Sequence, residues 1–295
     1  MTDNAHTFWT MHGLGNKIVV LDLRRSNHVV QASEAEAIAA DPATDFDQLM
    51  VLHAAEKPGT EASIRIYNRD GSRAGACGNG MRCVGLVVSK ELPEPRPQLY
   101  TVDGQELAVG VRSEDLISVD MGEPRFGWED IPLAEEFRDT RYIELQIGPI
   151  DAPVLHSPSV LNMGNPHAVF WVEDVDGYDL GKFGPLLENH PIFPDRANIS
   201  IAHVVSSSHL RVRTWERGAG LTEACGSAAC ASLVAAARTK RSDRKATVTV
   251  PGGDLHVHWD SGNRVIMTGP ARHVRHGDIQ FSEGGRAPVI TPRPG

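Results

Sequence analysis

The chain has 295 residues, 41% of them hydrophobic and 23% charged, with a formal net charge of −9. That length suits two domains of ordinary size better than one core, and the acidic balance disfavours a nucleic-acid surface, which needs a basic face. No apolar run is long enough to cross a bilayer, and the polar stretch from Met1 to Thr10 lacks the apolar region of a secretory signal. The expectation is a cytoplasmic protein acting on a small molecule, with neither nucleic acid nor membrane as partner.

Helical patterns fall over 33–40, 79–90, 180–189 and 227–239. The clearest strands are 64–67, 116–121, 210–215 and 255–259, where β-branched and aromatic residues alternate or cluster. Strands outnumber helices in both halves, and each half holds one strongly apolar helix that its sheet should wrap. Gly122-Glu123-Pro124 reads as the boundary between the halves.

The halves resemble each other. Asn68-Arg-Asp-Gly-Ser-Arg-Ala-Gly-Ala-Cys77-Gly78 aligns with Glu216-Arg-Gly-Ala-Gly-Leu-Thr-Glu-Ala-Cys225-Gly226. His12-Gly-Leu-Gly-Asn16 aligns with Met163-Gly-Asn165, and Val119-Asp-Met121-Gly with Val265-Ile-Met267-Thr-Gly. Three matches in one order, at nearly one offset of about half the chain, point to two homologous domains.

All four cysteines fall in two clusters, Cys77 with Cys83 and Cys225 with Cys230. Disulfides are not expected in a cytoplasmic protein, and the spacings do not match zinc knuckles. Cys83 and Cys230 lie inside helices and read as small core residues. Cys77 and Cys225 each end a Gly-rich loop and open a helix. A helix N-terminus offers unpaired N–H groups and partial positive charge, which lower a thiol pKa and can hold a carboxylate. Two such starts facing one substrate would suit racemisation at an α-carbon, with one cysteine as base and the other as acid on the opposite face. No convincing pyridoxal or nucleotide motif is present, so no cofactor is expected.

Several segments in family order resemble diaminopimelate epimerase: Met11-His-Gly-Leu-Gly-Asn16, Phe46-Asp-Gln48, Asn68-Arg-Asp-Gly-Ser72, Ala76-Cys-Gly-Asn-Gly80, Met163-Gly-Asn-Pro-His167, Ala197-Asn198, Glu216-Arg-Gly-Ala-Gly220, Ala224-Cys-Gly-Ser227 and Pro251-Gly-Gly253. The resemblance implies an α/β (α+β) fold of two pseudo-symmetric domains, each a β-barrel-like sheet around a central helix, with the active site between them. The domains would be 1–121 plus 270–295, where the C-terminal strand returns, and 122–269. The implied reaction interconverts LL- and meso-2,6-diaminopimelate without pyridoxal phosphate, in lysine and peptidoglycan precursor biosynthesis. It assigns Cys77 and Cys225 as the acid/base pair, with His167 and Glu216 tuning them. The N–H groups of Gly78, Asn79, Gly226 and Ser227 would hold the reacting carboxylate, with Asn16 and Gln48 lining the pocket nearby. Asn68, Asn165, Asn198 and Arg217, with Glu216, would read the distal amino-acid end. On residue type alone, Asn165 would be a turn residue before Pro166, His167 a strand histidine, and Glu216 with Arg217 a solvated pair.

Some positions depart from the family pattern. Lys17 stands where Asp is usual, Arg73 where Glu is common, and Leu221 where Glu is usual. Gly226-Ser-Ala-Ala229 replaces a Gly-Thr-Gly or Gly-Ser-Gly. Arg275 replaces a tyrosine associated with dimer formation, so a homodimer has less support here than in the family. The alternative functions are a proline, hydroxyproline or histidine racemase, and a zinc-binding or redox protein. A monocarboxylic substrate has no use for Asn68, Asn198 and Arg217 together, and proline racemases typically carry Cys-Gly-His-Gly where this chain has Cys77-Gly-Asn-Gly80.

Overall fold

The computed structural model describes residues 5–75, 77–282 and 287–293; Ala76, in the first Ala-Cys-Gly, lies outside the described residues. The chain divides into two compact units, 1–119 with 269–295, and 120–268.

The first unit starts with β1 (Ala5–Gly13) and β2 (Asn16–Asp22), followed by α1 (Ala32–Ala40), β3 (Gln48–His53), β4 (Ala62–Asn68) and β5 (Arg73–Ala74). Helix α2 (Gly78–Ser89) then precedes β6 (Gln98–Val102), β7 (Gln105–Ser113) and β8 (Leu116–Asp120). The second unit begins with the short pair β9 (Gln146–Ile147) and β10 (Leu155–His156), then β11 (Ser159–Asn162) and β12 (Pro166–Trp171). Helix α3 (Leu180–Glu188), β13 (Asn198–Ser206), β14 (His209–Glu216), β15 (Gly220–Leu221), α4 (Gly226–Arg238), β16 (Lys245–Val250), β17 (Gly253–Trp259) and β18 (Val265–Gly269) complete it. The chain then returns to the first unit as β19 (Arg272–Gln280) and β20 (Val289–Pro292), with β19 antiparallel to β1 on one edge and to β20 on the other.

Strand pairing repeats step for step. In the first unit β1–β2 is antiparallel, β2–β3 parallel, β3–β4 and β4–β5 antiparallel, β4–β6 parallel, and β6–β7 and β7–β8 antiparallel. In the second, β11–β12, β12–β13, β13–β14, β14–β15, β14–β16, β16–β17 and β17–β18 follow the same sequence of senses. The helices fall at matching points, α1 and α3 inside the first parallel crossover, α2 and α4 inside the second. The sequence duplication is therefore a duplication of topology, and the fold is two pseudo-symmetric α/β domains, each a curved sheet around one helix.

The central helices are buried on nearly every side because strands meet them on several sides. Helix α2 packs against β1, β2, β3 and β7, and α4 against β11, β12, β13, β14, β16 and β17. Close approach needs small residues. A Cβ at Gly85 of α2 would lie 2.4 Å from Cγ1 of the buried Val109. Gly85→Val is expected to destabilise by about 1–3 kcal/mol through overpacking, read as a lower midpoint in chemical denaturation. Arg82, fully buried in the same helix, donates from Nε to the Pro270 carbonyl at 3.0 Å and ties α2 to the returning C-terminal segment.

Candidate active site

Both Cys77 and Cys225 are the N-cap residues of the central helices, α2 and α4. The first intrahelical bonds are Met81 N–H to the Cys77 carbonyl and Ala229 N–H to the Cys225 carbonyl. The first-turn amides of Gly78, Asn79, Gly226 and Ser227 therefore precede each intrahelical ladder, as helix starts require. The flanking Gly-rich loops supply the turn, and the β-region backbone at each cysteine is the normal cap conformation.

The two thiols meet different surroundings. Cys77 is partly exposed, and its Sγ accepts the Gly80 N–H at 3.1 Å, an arrangement that favours negative charge on sulfur. Cys225 is 6% exposed, its Sγ 3.5 Å from Ser227 Oγ. Burial first, and then the neighbouring Glu216 carboxylate, push the Cys225 thiol well above its ordinary value. This opposes the lowering that a helix N-terminus by itself would give. Desolvation and a nearby like charge outweigh the helix N-terminus there. Cys83 and Cys230 are buried inside the helices, and burial pushes the Cys83 thiol up to about 12.

In the first unit Asn16 opens β2, Gln48 opens β3, and Asn68 closes β4 directly opposite Gln48. Asn79 donates to Asn16 Oδ1 at 3.3 Å, and Asn16 donates to Asp47 Oδ2 at 3.0 Å. Asn68 Nδ2 is turned to Ser72 Oγ at 3.0 Å within its own loop. That loop depends on Gly71, at φ 73°, where a Cβ would sit 2.5 Å from the Ala32 carbonyl oxygen. Lys17 pairs with Asp45 at 2.6 Å, and Asp45 also accepts from Arg69. An acidic partner thus accommodates the lysine. Arg73 pairs with Asp103 at 2.9 Å and lies over the Tyr67 ring.

The second unit gathers its predicted residues at equivalent strand ends. Asn165 precedes β12, His167 lies opposite Asn198 at the start of β13, and Glu216 closes β14 with Arg217 next. His167 Nε2 lies 2.7 Å from Asn165 Oδ1. Asn198 donates to the Pro166 carbonyl and accepts the Arg217 N–H, both at 3.0 Å. Arg217 also donates to the Asp195 carbonyl at 3.0 Å. Thr222 Oγ1 donates to Glu216 Oε1 at 2.5 Å. Leu221 is half exposed on β15. Asn165, Arg217 and Asp195 share a depression of about 390 Å³ with Arg125, Glu129 and Asp130. Among the described residues no cluster of three or more His, Cys, Asp or Glu side chains could hold a metal ion.

Sequence reasoning missed Asp47 and Thr222, which hydrogen-bond Asn16 and Glu216. Asp47 lies inside the Phe46-Asp-Gln48 motif and Thr222 three residues before Cys225, so proximity to a motif was a usable signal for both.

His167 is fully buried, with no hydrogen-bond partner for Nδ1 among the described residues. Burial, and then the positive Arg217, hold its pKa at about 3 instead of 6.5. Below about pH 6.5 the unfolded chain takes up a proton that the folded one refuses, so this contribution to stability is present above 6.5 and lost as pH falls toward 3. Denaturation midpoints measured from pH 7 to pH 4 should fall, and less steeply in His167→Gln. An equal slope in both proteins would refute this.

The fold is shared with solved structures of low sequence identity. A hydroxyproline epimerase from Agrobacterium vitis superposes with a TM-score of 0.66 at 13% identity, covering 96% of this chain and 94% of that one. A phenazine biosynthesis protein of the PhzF family from Enterococcus faecalis gives 0.63 at 14% identity, covering 94% and 100%. These likenesses place the chain in a fold class of two α/β domains.

Within that class, the chain belongs to the diaminopimelate epimerase family, whose model matches residues 8–127 and 159–274. A diaminopimelate epimerase of Afipia carboxidovorans is 62% identical over 267 residues, 90% of this chain and 92% of that protein. Proteins of the same name from Bradyrhizobium sp. and Methylobacterium sp. are 61% and 60% identical over 268 and 269 residues, each with 90% and 92% coverage.

Proposed function

We propose that this chain interconverts LL- and meso-2,6-diaminopimelate by a two-base thiol mechanism, as a cytoplasmic enzyme of lysine and peptidoglycan precursor biosynthesis. The observation that carries the reading is one cysteine at the start of the central helix in each of two topologically identical units, in a chain of this family.

Removing a proton from an amino-acid α-carbon builds charge on the adjacent carboxylate. Helix-start amides at Gly78, Asn79, Gly226 and Ser227 are suited to stabilise that charge, because they are preorganised donors. Cys77, whose sulfur already accepts the Gly80 N–H, is the base in the resting protein. Cys225, kept as a thiol by burial and Glu216, is the acid that protonates the opposite face. Their protonation states exchange on turnover, and the reverse reaction starts from the exchanged form. Thr222 holds Glu216 beside Cys225. Arg217 and the amides of Asn68, Asn165 and Asn198 suit a distal carboxylate, and Glu216 suits a distal ammonium. Asn16 and Gln48 complete the pocket near the reacting carbon, and His167 orients Asn165.

The racemase alternative rests on fold likeness at 13% identity. It leaves the distal amide and guanidinium set without a task.

Proton-exchange NMR in deuterium oxide with each isomer tests the reading directly. Deuterium should enter the α-positions of both isomers, while L-proline is labelled far more slowly; faster exchange with proline than with diaminopimelate would overturn it. Activity should also survive dialysis against EDTA, need no pyridoxal phosphate, and require a reductant. Loss on chelation, restored by zinc, would contradict the thiol-only mechanism.

A further inference from the structure

Glu188, the last residue of α3, buries its carboxylate with only 7% of the side chain exposed. Its Oε2 accepts the Trp215 indole N–H at 2.7 Å. Its Oε1 accepts the Gly218 N–H at 2.9 Å and Arg196 NH1 at 3.2 Å. Trp215 and Gly218 flank Glu216 and Arg217, so one carboxylate grips the chain on both sides of that pair. Helix α3 is shaped for the same contact, since a Cβ at Gly184 would lie 2.4 Å from Trp215 Cγ. Gly218 turns at φ 75°, a conformation that returns its N–H toward α3 at little cost for glycine.

A buried carboxylate is costly unless its donors are all in place. An apolar side chain could cover Trp215 equally well, but it could accept neither the indole N–H nor the Gly218 N–H. We infer that Glu188 is a positioning residue for the epimerisation site, fixing Glu216 beside Cys225 and Arg217 toward the distal end of the substrate. This rests on the function proposed above. Arg217 is held besides by the Asn198 side chain at its backbone N–H and by the Asp195 carbonyl at its guanidinium.

The test is steady-state kinetics with diaminopimelate on four full-length proteins: wild type, Glu188→Gln, Trp215→Phe and the double variant. Glutamine keeps the shape but must oppose one donor with its own NH2 group, either the indole N–H or the Gly218 N–H. Glu188→Gln should raise KM about tenfold or more with a smaller fall in kcat. Trp215→Phe removes the indole donor and leaves Gly218 held, so its effect should be smaller. The double variant should reverse much of the KM rise seen in Glu188→Gln, because the amide no longer faces an indole N–H. A structural contact alone would lower the thermal midpoint without this KM pattern or its rescue. Wild-type KM in a folded Glu188→Gln protein, or a double variant with simply additive losses, would overturn the inference. If Glu188→Gln does not fold, Trp215→Phe must by itself raise KM, and an unchanged KM there would equally overturn it. Inactivity of the wild type toward diaminopimelate would instead refute the function on which the inference rests.

Discussion

Alanine at Cys77 or at Cys225 is expected to lower epimerisation in both directions by about 1000-fold or more, because acid and base act as one unit and their contributions do not add. The double variant should be little worse than either single one. Serine should be less damaging for elimination from a β-halogenated analogue, where proton abstraction suffices, and the two serine variants should prefer opposite isomers of that analogue. Cys83→Ala and Cys230→Ala are the matched controls. Both cysteines are buried in the same two helices, so truncation should cost about 1–3 kcal/mol of stability and leave most activity. Turnover in both directions and thermal midpoints for all four single variants decide the matter. A folded but inactive Cys83→Ala, or normal turnover in Cys225→Ala, would refute the pairing.

Arg217→Met should be the most damaging change at the distal end. The guanidinium hydrogen-bonds the Asp195 carbonyl and the backbone N–H is held by Asn198, so the side chain is directed before substrate arrives. Removing one partner of a charged, hydrogen-bonded pair costs about 2–4 kcal/mol, or roughly 30- to 1000-fold in kcat/KM. The loss should be specific to substrates with a second carboxylate. Slow α-proton exchange of a monocarboxylic amino acid should change little, because nothing on that molecule reaches Arg217. Equal losses on both substrates would assign Arg217 to the loop's folding and not to recognition.

The duplication and the central helices were legible in the chain because their signals are local. Cys77 and Cys225 each follow a Gly-containing loop and precede an apolar, small-residue run, and caps and hydrophobic patterning act over a few residues. The helices expected over 79–90 and 227–239 are α2 and α4, each beginning one residue earlier. The shift comes from the glycine after each cysteine, which carries no propensity of its own but has helical backbone. The order of the motifs was enough to identify the family.

The electrostatic difference between the two cysteines was not legible, nor was the support of their loops. The two Ala-Cys-Gly segments are nearly alike in sequence, yet Cys77 is partly exposed and receives an amide N–H, while Cys225 is buried beside Glu216. Glu188 reaches Trp215 and Gly218 across 27 and 30 positions, and Lys17 meets Asp45 across 28. The sequence by itself determined which residues start the two helices and which chemistry they can perform, because capping and residue type are properties of short segments. Only the tertiary structure decided which thiol is buried beside a carboxylate and which carboxylate holds the chain on both sides of Glu216 and Arg217, because burial and charge proximity arise when segments distant in the chain pack together.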